Sequence, residues 1–119
     1  MSQEFSNYIS GQWVAAGYGK TFAQRNPADL DEVTGIWPAC SRDDANRAID
    51  AAGLAFPGWR ALTAAQRAGY LKEALNGMHQ RRAELAEIMT RENGKTLRES
   101  HAEIDSALRE MEYQIGEGV

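Results

Sequence analysis

A mainly α-helical chain with β-hairpins at its N-terminus is the fold class this sequence predicts, on three observations. All three prolines (Pro27, Pro38, Pro57) fall in the first half, so residues 58–119 lack the strongest helix breaker. Apolar residues recur in that second stretch at three- and four-residue spacing, the period of a helix face. Residues 7–40 instead alternate short β-like runs with Gly, Pro and Asn punctuation. The expected organisation is β-hairpins over 7–40 and a helical layer over 41–119.

The hairpin region opens on Tyr8-Ile9-Ser10-Gly11-Gln12-Trp13-Val14, which reads as strand, glycine turn and strand. Gly17-Tyr18-Gly19 is a loop. Thr21 to Arg25 is the next strand, stopped by Asn26-Pro27. Ala28-Asp29-Leu30-Asp31 is expected to turn, and Val33 to Ala39 to form the last strand. Two-stranded ribbons bury too little to be stable alone, so these hairpins need a partner surface.

Ser41-Arg42-Asp43-Asp44 carries the marks of a helix start: a hydroxyl to accept an orphan N–H, and acids at the positive end of the dipole. Ala45, Ala48, Ile49, Ala52, Ala55 and Phe56 then make one apolar stripe, mostly alanine, which predicts close packing on a neighbour. Pro57-Gly58 is expected to end that helix, with Trp59 anchoring the turn. Thr63-Ala64-Ala65-Gln66 is a capping box. Ala68, Leu71, Leu75 and Met78 follow as the next stripe, with a break near Gln80–Arg82. The phase resumes at Leu85, Ile88 and Met89 until Gly94 supplies a left-handed stop. Thr96-Leu97-Arg98-Glu99 is a second capping box. It opens a helix of about 20 residues, or about 30 Å, whose stripe is Leu97, Ile104, Leu108, Met111 and Ile115.

Composition narrows the function classes. The chain has 119 residues, 43% of them hydrophobic, which is enough for a real core but small for an enzyme that must house both a cofactor fold and a substrate site. The net charge of −4 divides evenly, −2 over residues 1–40 and −2 over 41–119. No basic stripe exists, so nucleic-acid partners are not expected, and the acidic balance argues against anionic membrane surfaces. No apolar run approaches the ~20 residues that span a bilayer. Residues 1–8 lack the apolar segment of a secretory signal. The single cysteine, Cys40, excludes an internal disulfide and fits a reducing compartment, so the expected location is the cytoplasm.

Most chemical motifs fail on their own mechanics. Gly19-Lys20-Thr21 and Gly94-Lys95-Thr96 would need a further glycine at positions 14 and 89 to wrap a phosphate, but these are Val14 and Met89. Gly17-Tyr18-Gly19 lacks the third glycine of a dinucleotide fingerprint, which falls on Phe22, and no helix follows. Cys40 precedes a helix start but has no histidine near it in sequence, and is expected to be a buried structural thiol. His101 and Asp105 share a helix face, half of a metal site, and are expected on a solvated polar face, as are Glu110, Glu112 and Glu117. A small metal or redox protein using Cys40, His79 and His101 is the weakest of three readings that the residues allow. A second is a non-catalytic helical module that self-associates through Leu71, Leu75, Leu85, Ile88, Leu108 and Met111.

The leading reading comes from a resemblance. The Tyr8–Val14 segment is similar to the "I-x-G-x-W" opening of the NAD(P)-dependent aldehyde dehydrogenase superfamily. Arg25-Asn26-Pro27-Ala28 resembles its Asn-Pro hairpin, with Leu30-Asp31-Glu32 in place of the usual Gly-Glu. Ala45 to Trp59 resembles its first helix, and Glu92-Asn93-Gly94-Lys95-Thr96 its "E-x-G-K" signature. The match runs in order from about residue 7 to the end.

The resemblance implies an α/β parent fold with a Rossmann-type cofactor domain, of which this chain is the N-terminal segment. It implies NAD or NADP for the full-length enzyme and oxidation of an aldehyde or semialdehyde to a carboxylate. The stretch Glu112 to Gly118 is similar to semialdehyde-oxidising members. The family's nucleophilic Cys, general-base Glu, oxyanion-stabilising Asn and nucleotide contacts all lie beyond the equivalent of Val119. The chain alone is therefore expected to carry no catalytic residue, to bind no cofactor and to be inactive. The implied partners are the remainder of the subunit and further copies in a homo-oligomer. Some members bind a monovalent cation, and the matching positions here are Glu92, Gln24 and Arg25.

Overall fold

The computed structural model describes residues 3–118. Four strands precede four helices: β1 (Asn7–Ile9), β2 (Gln12–Val14), β3 (Thr21–Asn26), β4 (Asp29–Pro38), α1 (Arg42–Ala61), α2 (Ala64–Gln80), α3 (Arg82–Asn93) and α4 (Leu97–Glu117). The change from strand to helix falls at Ser41. The chain forms two compact units, the first ending at Trp59 and the second beginning at Arg60, so most of α1 belongs with the hairpins.

In the first unit β1 and β2 pair antiparallel around Ser10-Gly11, with Tyr8 opposite Trp13. Both turn residues have positive φ (52° and 77°), the requirement of the tight hairpin turn whose twist matches its strands. The Tyr8 and Trp13 rings meet across the ribbon at 5.0 Å. β3 and β4 form the second ribbon, with Phe22 opposite Trp37 and Gln24 opposite Gly35. Residues 3–5 run along the other edge of β4, Phe5 N donating to Ile36 O and Ile36 N to Gln3 O, each at 2.9 Å. Phe5 thereby stacks on Trp37 with centroids 4.0 Å apart. Gly35 lies beneath this pair, where a Cβ would stand 2.6 Å from the Phe5 ring.

Two expectations for this unit are corrected. Asp29 to Glu32 belong to β4 and do not turn. The Asn26 side chain accepts from Ala28 N at 2.9 Å, which completes the reversal within Pro27-Ala28. Pro57 does not end α1, which continues to Ala61. A helix-interior proline leaves the carbonyl four residues earlier without a donor. Here that carbonyl is on Gly53, in a run of exposed residues where water can satisfy it.

The alanine-rich stripe of α1 is also uncovered in this chain. Asp44 is the one buried residue of the helix, while Ile49 and Phe56 are 66% and 56% exposed.

The second unit is built as its apolar spacing predicts. Both capping boxes form: Gln66 N donates to the Thr63 hydroxyl and Glu99 N to the Thr96 hydroxyl, each at 3.3 Å. Arg81 separates α2 from α3 at the expected break, and Gly94 closes α3 at φ 71°. The core is Ala68, Leu75, Ala86, Ile104, Leu108 and Ile115, flanked by Met78, Leu85, Met89 and Met111. The face expected to drive self-association is therefore corrected in part: Leu75 and Leu108 are buried and Leu85 and Met111 pack against the core, while Leu71 and Ile88 stay exposed. Helices α2, α3 and α4 fold most of that face onto itself. Among the described residues no helix is long and apolar enough to cross a membrane.

Candidate functional site

Gln24 and Arg25, two of the positions matched to a cation site, sit where the β3–β4 register shifts. Thr34 is the extra residue of β4 there, and its hydroxyl donates to the Gln24 carbonyl at 3.2 Å. The Arg25 guanidinium reaches the Leu30 carbonyl at 2.7 Å and ties the hairpin tip. In the second unit Glu92 is half-buried in the last turn of α3, beside the Gly94 cap. No group of three or more His, Cys, Asp or Glu among the described residues is arranged to hold a metal ion.

The segment from Glu92 to Thr96 joins α3 to α4. Gly94 N donates to Thr90 O at 2.8 Å. Thr90 and Ser100 exchange a hydroxyl hydrogen bond at 2.8 Å across the two helices, with Ser100 fully buried. The Lys95 ammonium pairs with Glu103 at 2.7 Å. The Thr96 hydroxyl and backbone bond the Glu99 carboxylate, which holds its pKa below the ordinary glutamate value. A carboxylate thus occupies the first turn of α4, the place an incoming phosphate would need.

Cys40 departs from expectation: it is exposed. Asn7 Nδ2 donates to its sulfur at 3.2 Å, and the Pro38 carbonyl lies at 3.7 Å. An amide and a carbonyl cannot take a proton from a thiol, so these neighbours do not activate a nucleophile.

The His101–Asp105 face is not the solvated surface expected. Asp105 accepts two hydrogen bonds from the Arg82 guanidinium of α3, one of them at 2.6 Å, and this holds its pKa below the usual aspartate value. His101 is half-buried, and its Nδ1 is enclosed without a hydrogen-bond partner. Glu110, Glu112 and Glu117 are exposed as expected.

The polar residue that spacing alone undervalued is Asp44, 3% exposed. Its carboxylate accepts from Ser41 N (2.8 Å), Ser41 Oγ (2.9 Å) and Gly17 N (2.9 Å), and pairs with Arg47. The Ser41 backbone bond, followed by the Arg47 ion pair, sets its pKa well below the ordinary aspartate range. The sequence showed Ser41 as a cap and Asp44 as an acid at the positive end of the dipole, but the carboxylate's return bond to Ser41 N was not read from it, and the bond to Gly17, from 27 residues earlier, has no local signal.

Two open grooves mark the second unit. One, of about 320 Å³, is lined by Leu62, Gln66, Gly69, Tyr70 and Glu73. The other, of about 220 Å³, is lined by Ala74, Gly77, Met78, Arg81 and Leu85. Neither lining joins a nucleophile to a base.

Comparison with known proteins places this arrangement. The model of the aldehyde dehydrogenase family matches residues 13–118. The chain is 37% identical to the alpha-ketoglutaric semialdehyde dehydrogenase of Bacillus subtilis over 115 residues, covering 97% of this chain and 24% of that protein. It is 40% identical to the NADP(+) succinate-semialdehyde dehydrogenase of Escherichia coli, covering 92% of this chain and 23% of that protein. Among solved structures, an NAD-dependent aldehyde dehydrogenase from Sinorhizobium meliloti superposes with a TM-score of 0.92 at 29% identity, over 98% of this chain and 24% of the other. Betaine aldehyde dehydrogenase from Staphylococcus aureus, solved with NAD+, superposes with a TM-score of 0.88 at 33% identity, over 93% of this chain and 22% of the other. The chain therefore belongs to the aldehyde dehydrogenase family and spans about a quarter of the length of the relatives it matches.

Proposed function

We propose that this chain serves as the N-terminal part of an NAD(P)-dependent aldehyde dehydrogenase that oxidises an aldehyde or semialdehyde to a carboxylate. The observation that carries this is the one-sided coverage: 97% of this chain aligns, but only 24% of the Bacillus subtilis relative. The relatives whose names specify semialdehydes support that substrate class.

In the proposed reaction a thiolate adds to the aldehyde carbon, hydride leaves for the nicotinamide, and water releases the acid. The groups in this chain do not fit those steps. Cys40 has an amide and a carbonyl for neighbours. Three helix N-termini are filled by their own caps: Asp44 and Ser41 at α1, Thr63 and Gln66 at α2, Thr96 and Glu99 at α4. A dinucleotide phosphate would have to displace them, and at α1 and α4 it would meet a carboxylate. The role we assign to this segment is scaffolding for a catalytic site supplied by the remaining subunit. A cytoplasmic setting belongs to the same proposal, supported by the lone free thiol of Cys40. The Gln24 and Arg25 carbonyls are proposed as hard oxygen donors of the kind a monovalent cation takes.

The test is a chimera. This chain replaces the matching first quarter of the Bacillus subtilis relative, and formation of reduced nicotinamide from a semialdehyde is followed. The chimera is expected to be active and the isolated chain inactive. A chimera that folds and assembles but turns over nothing, or turnover by the isolated chain, would reject this role.

A further inference from the structure

Two of the chain's asparagines precede glycine, in Asn76-Gly77 and Asn93-Gly94. Asparagine is a thermolabile residue. It is most so before glycine, because a residue without a Cβ lets its backbone nitrogen approach the asparagine side-chain carbon. Both asparagines are exposed, so access to water does not separate them. Crowding does not shield the first either, since a Cβ built at Gly77 would meet nothing within 4 Å. Their places in the helices do separate them. In helical backbone the next nitrogen is turned away from the side-chain carbon and its N–H is committed to the hydrogen-bond ladder, so the reaction needs the helix to open there.

Asn76 lies within α2, which runs on to Gln80. Leu75 beside it is buried in the core, and Met78 packs against that core. The Gly77 carbonyl accepts from Arg81 N at 3.2 Å. Opening the backbone there pulls core side chains from their places. Asn93 is the last residue of α3, and Gly94 has already left the helix at φ 71°. The Gly94 N–H donates to Thr90 O at 2.8 Å, and the Asn93 side chain donates from Nδ2 to Met89 O at 3.2 Å. Helix ends fray at almost no cost, whereas core segments open at a cost that approaches that of global unfolding.

We infer that Asn93 is a site of spontaneous deamidation, opened by fraying at the end of α3. Hydroxide removes the Gly94 amide proton, and the nitrogen's electron pair forms a bond to Asn93 Cγ. The Cγ–Nδ2 bond breaks, and Nδ2 leaves as ammonia from a cyclic imide. Water then adds to one of the two imide carbonyls and breaks its bond to the Gly94 nitrogen. Opening at Cγ gives aspartate. Opening at the Asn93 backbone carbonyl gives isoaspartate, whose main chain runs through Cγ and is one carbon longer. Either product replaces the donor to Met89 O by a carboxylate, at the end of α3 where the helix dipole is negative. The added negative charge takes the chain from −4 to −5. The inference goes beyond the family role and rests on the second unit alone.

Incubation of the folded 119-residue chain at mildly alkaline pH, followed by peptide mass mapping, tests it. Asn93 is expected to convert roughly tenfold or more faster than Asn76, in step with a more acidic species on ion exchange. In urea the two rates should converge, since the same dipeptide then stands in an open chain. Asn93→Gln, whose longer side chain closes its ring far more slowly, is expected to abolish the fast acidic species. Asn76 keeping pace with Asn93 in the folded chain overturns the inference, as does an Asn93 that converts only in urea. So does a gap that persists in urea, which would lie in the neighbouring residues and not in the fold, or an acidic species that survives Asn93→Gln.

Discussion

In the second unit Leu108 is 2% exposed and Ala86 fully buried among three helices, with four more buried apolar side chains around them. Among the described residues of the first unit the buried ones are Ala16, Gly35 and Asp44, with no large apolar side chain among them. The helical unit is held by burial of apolar area, a term that grows with each side chain removed from water. The hairpin unit is held by ladder hydrogen bonds, one ring stack and one buried carboxylate. Ladder bonds exchange for bonds to water on unfolding and give little net stability. A segment ordered in this way leans on whatever surface covers it, whereas the helical unit carries its own core.

Mutations can break that contrast, beginning where the core is densest. Leu108→Ala is expected to destabilise the second unit by about 2–5 kcal/mol, read as a lower urea midpoint in helical circular dichroism. An unchanged midpoint would mean that no well-packed core exists there. Gly35→Ala forces a Cβ into the Phe5 ring and is expected to cost the first unit about 1–3 kcal/mol. Tryptophan fluorescence during urea unfolding reports it through Trp37, and an effect as large as that of Leu108→Ala would erase the difference between the units. Thr63→Ala removes one half of a capping box and is expected to cost about 1 kcal/mol, with helical signal lost first from α2.

The smallest effect appears only in acid. The pKa of Asp44 is lowered on folding, so its contribution is complete above the ordinary aspartate value of 3.8 and fades as pH falls below it. Stability of the first unit should be flat through neutral pH and decline below about pH 4. Asp44→Asn should lessen that decline, and an identical acid profile in the variant would show that Asp44 is not the group responsible.

Much of this architecture was legible because it is local. Thr63 with Gln66, Thr96 with Glu99, the Gly94 stop and the break at Arg81 each depend on residues within one helical turn. Pro57 misled for a related reason. The rule that proline ends a helix assumes that the orphaned carbonyl has no other partner, and on an exposed helix water serves. The candidate cation residues, Glu92 included, came from the family resemblance and from no spacing in this chain, and the Thr34 hydroxyl on the Gln24 carbonyl depends on a register shift between strands. His101 and Asp105 were read from one helix alone. Arg82, which takes Asp105, lies 23 residues earlier.

By itself the sequence determined the order of the elements, the caps that bound the last helices, and the family, because each rests on short patterns that local backbone chemistry enforces. Only the tertiary structure decided which apolar stripes find partners. The stripes of α2, α3 and α4 close on one another because the connections at Arg81 and Gly94–Thr96 bring the three helices together. The equally regular stripe of α1 stays open, since periodicity says which face is apolar and nothing about what is present to cover it.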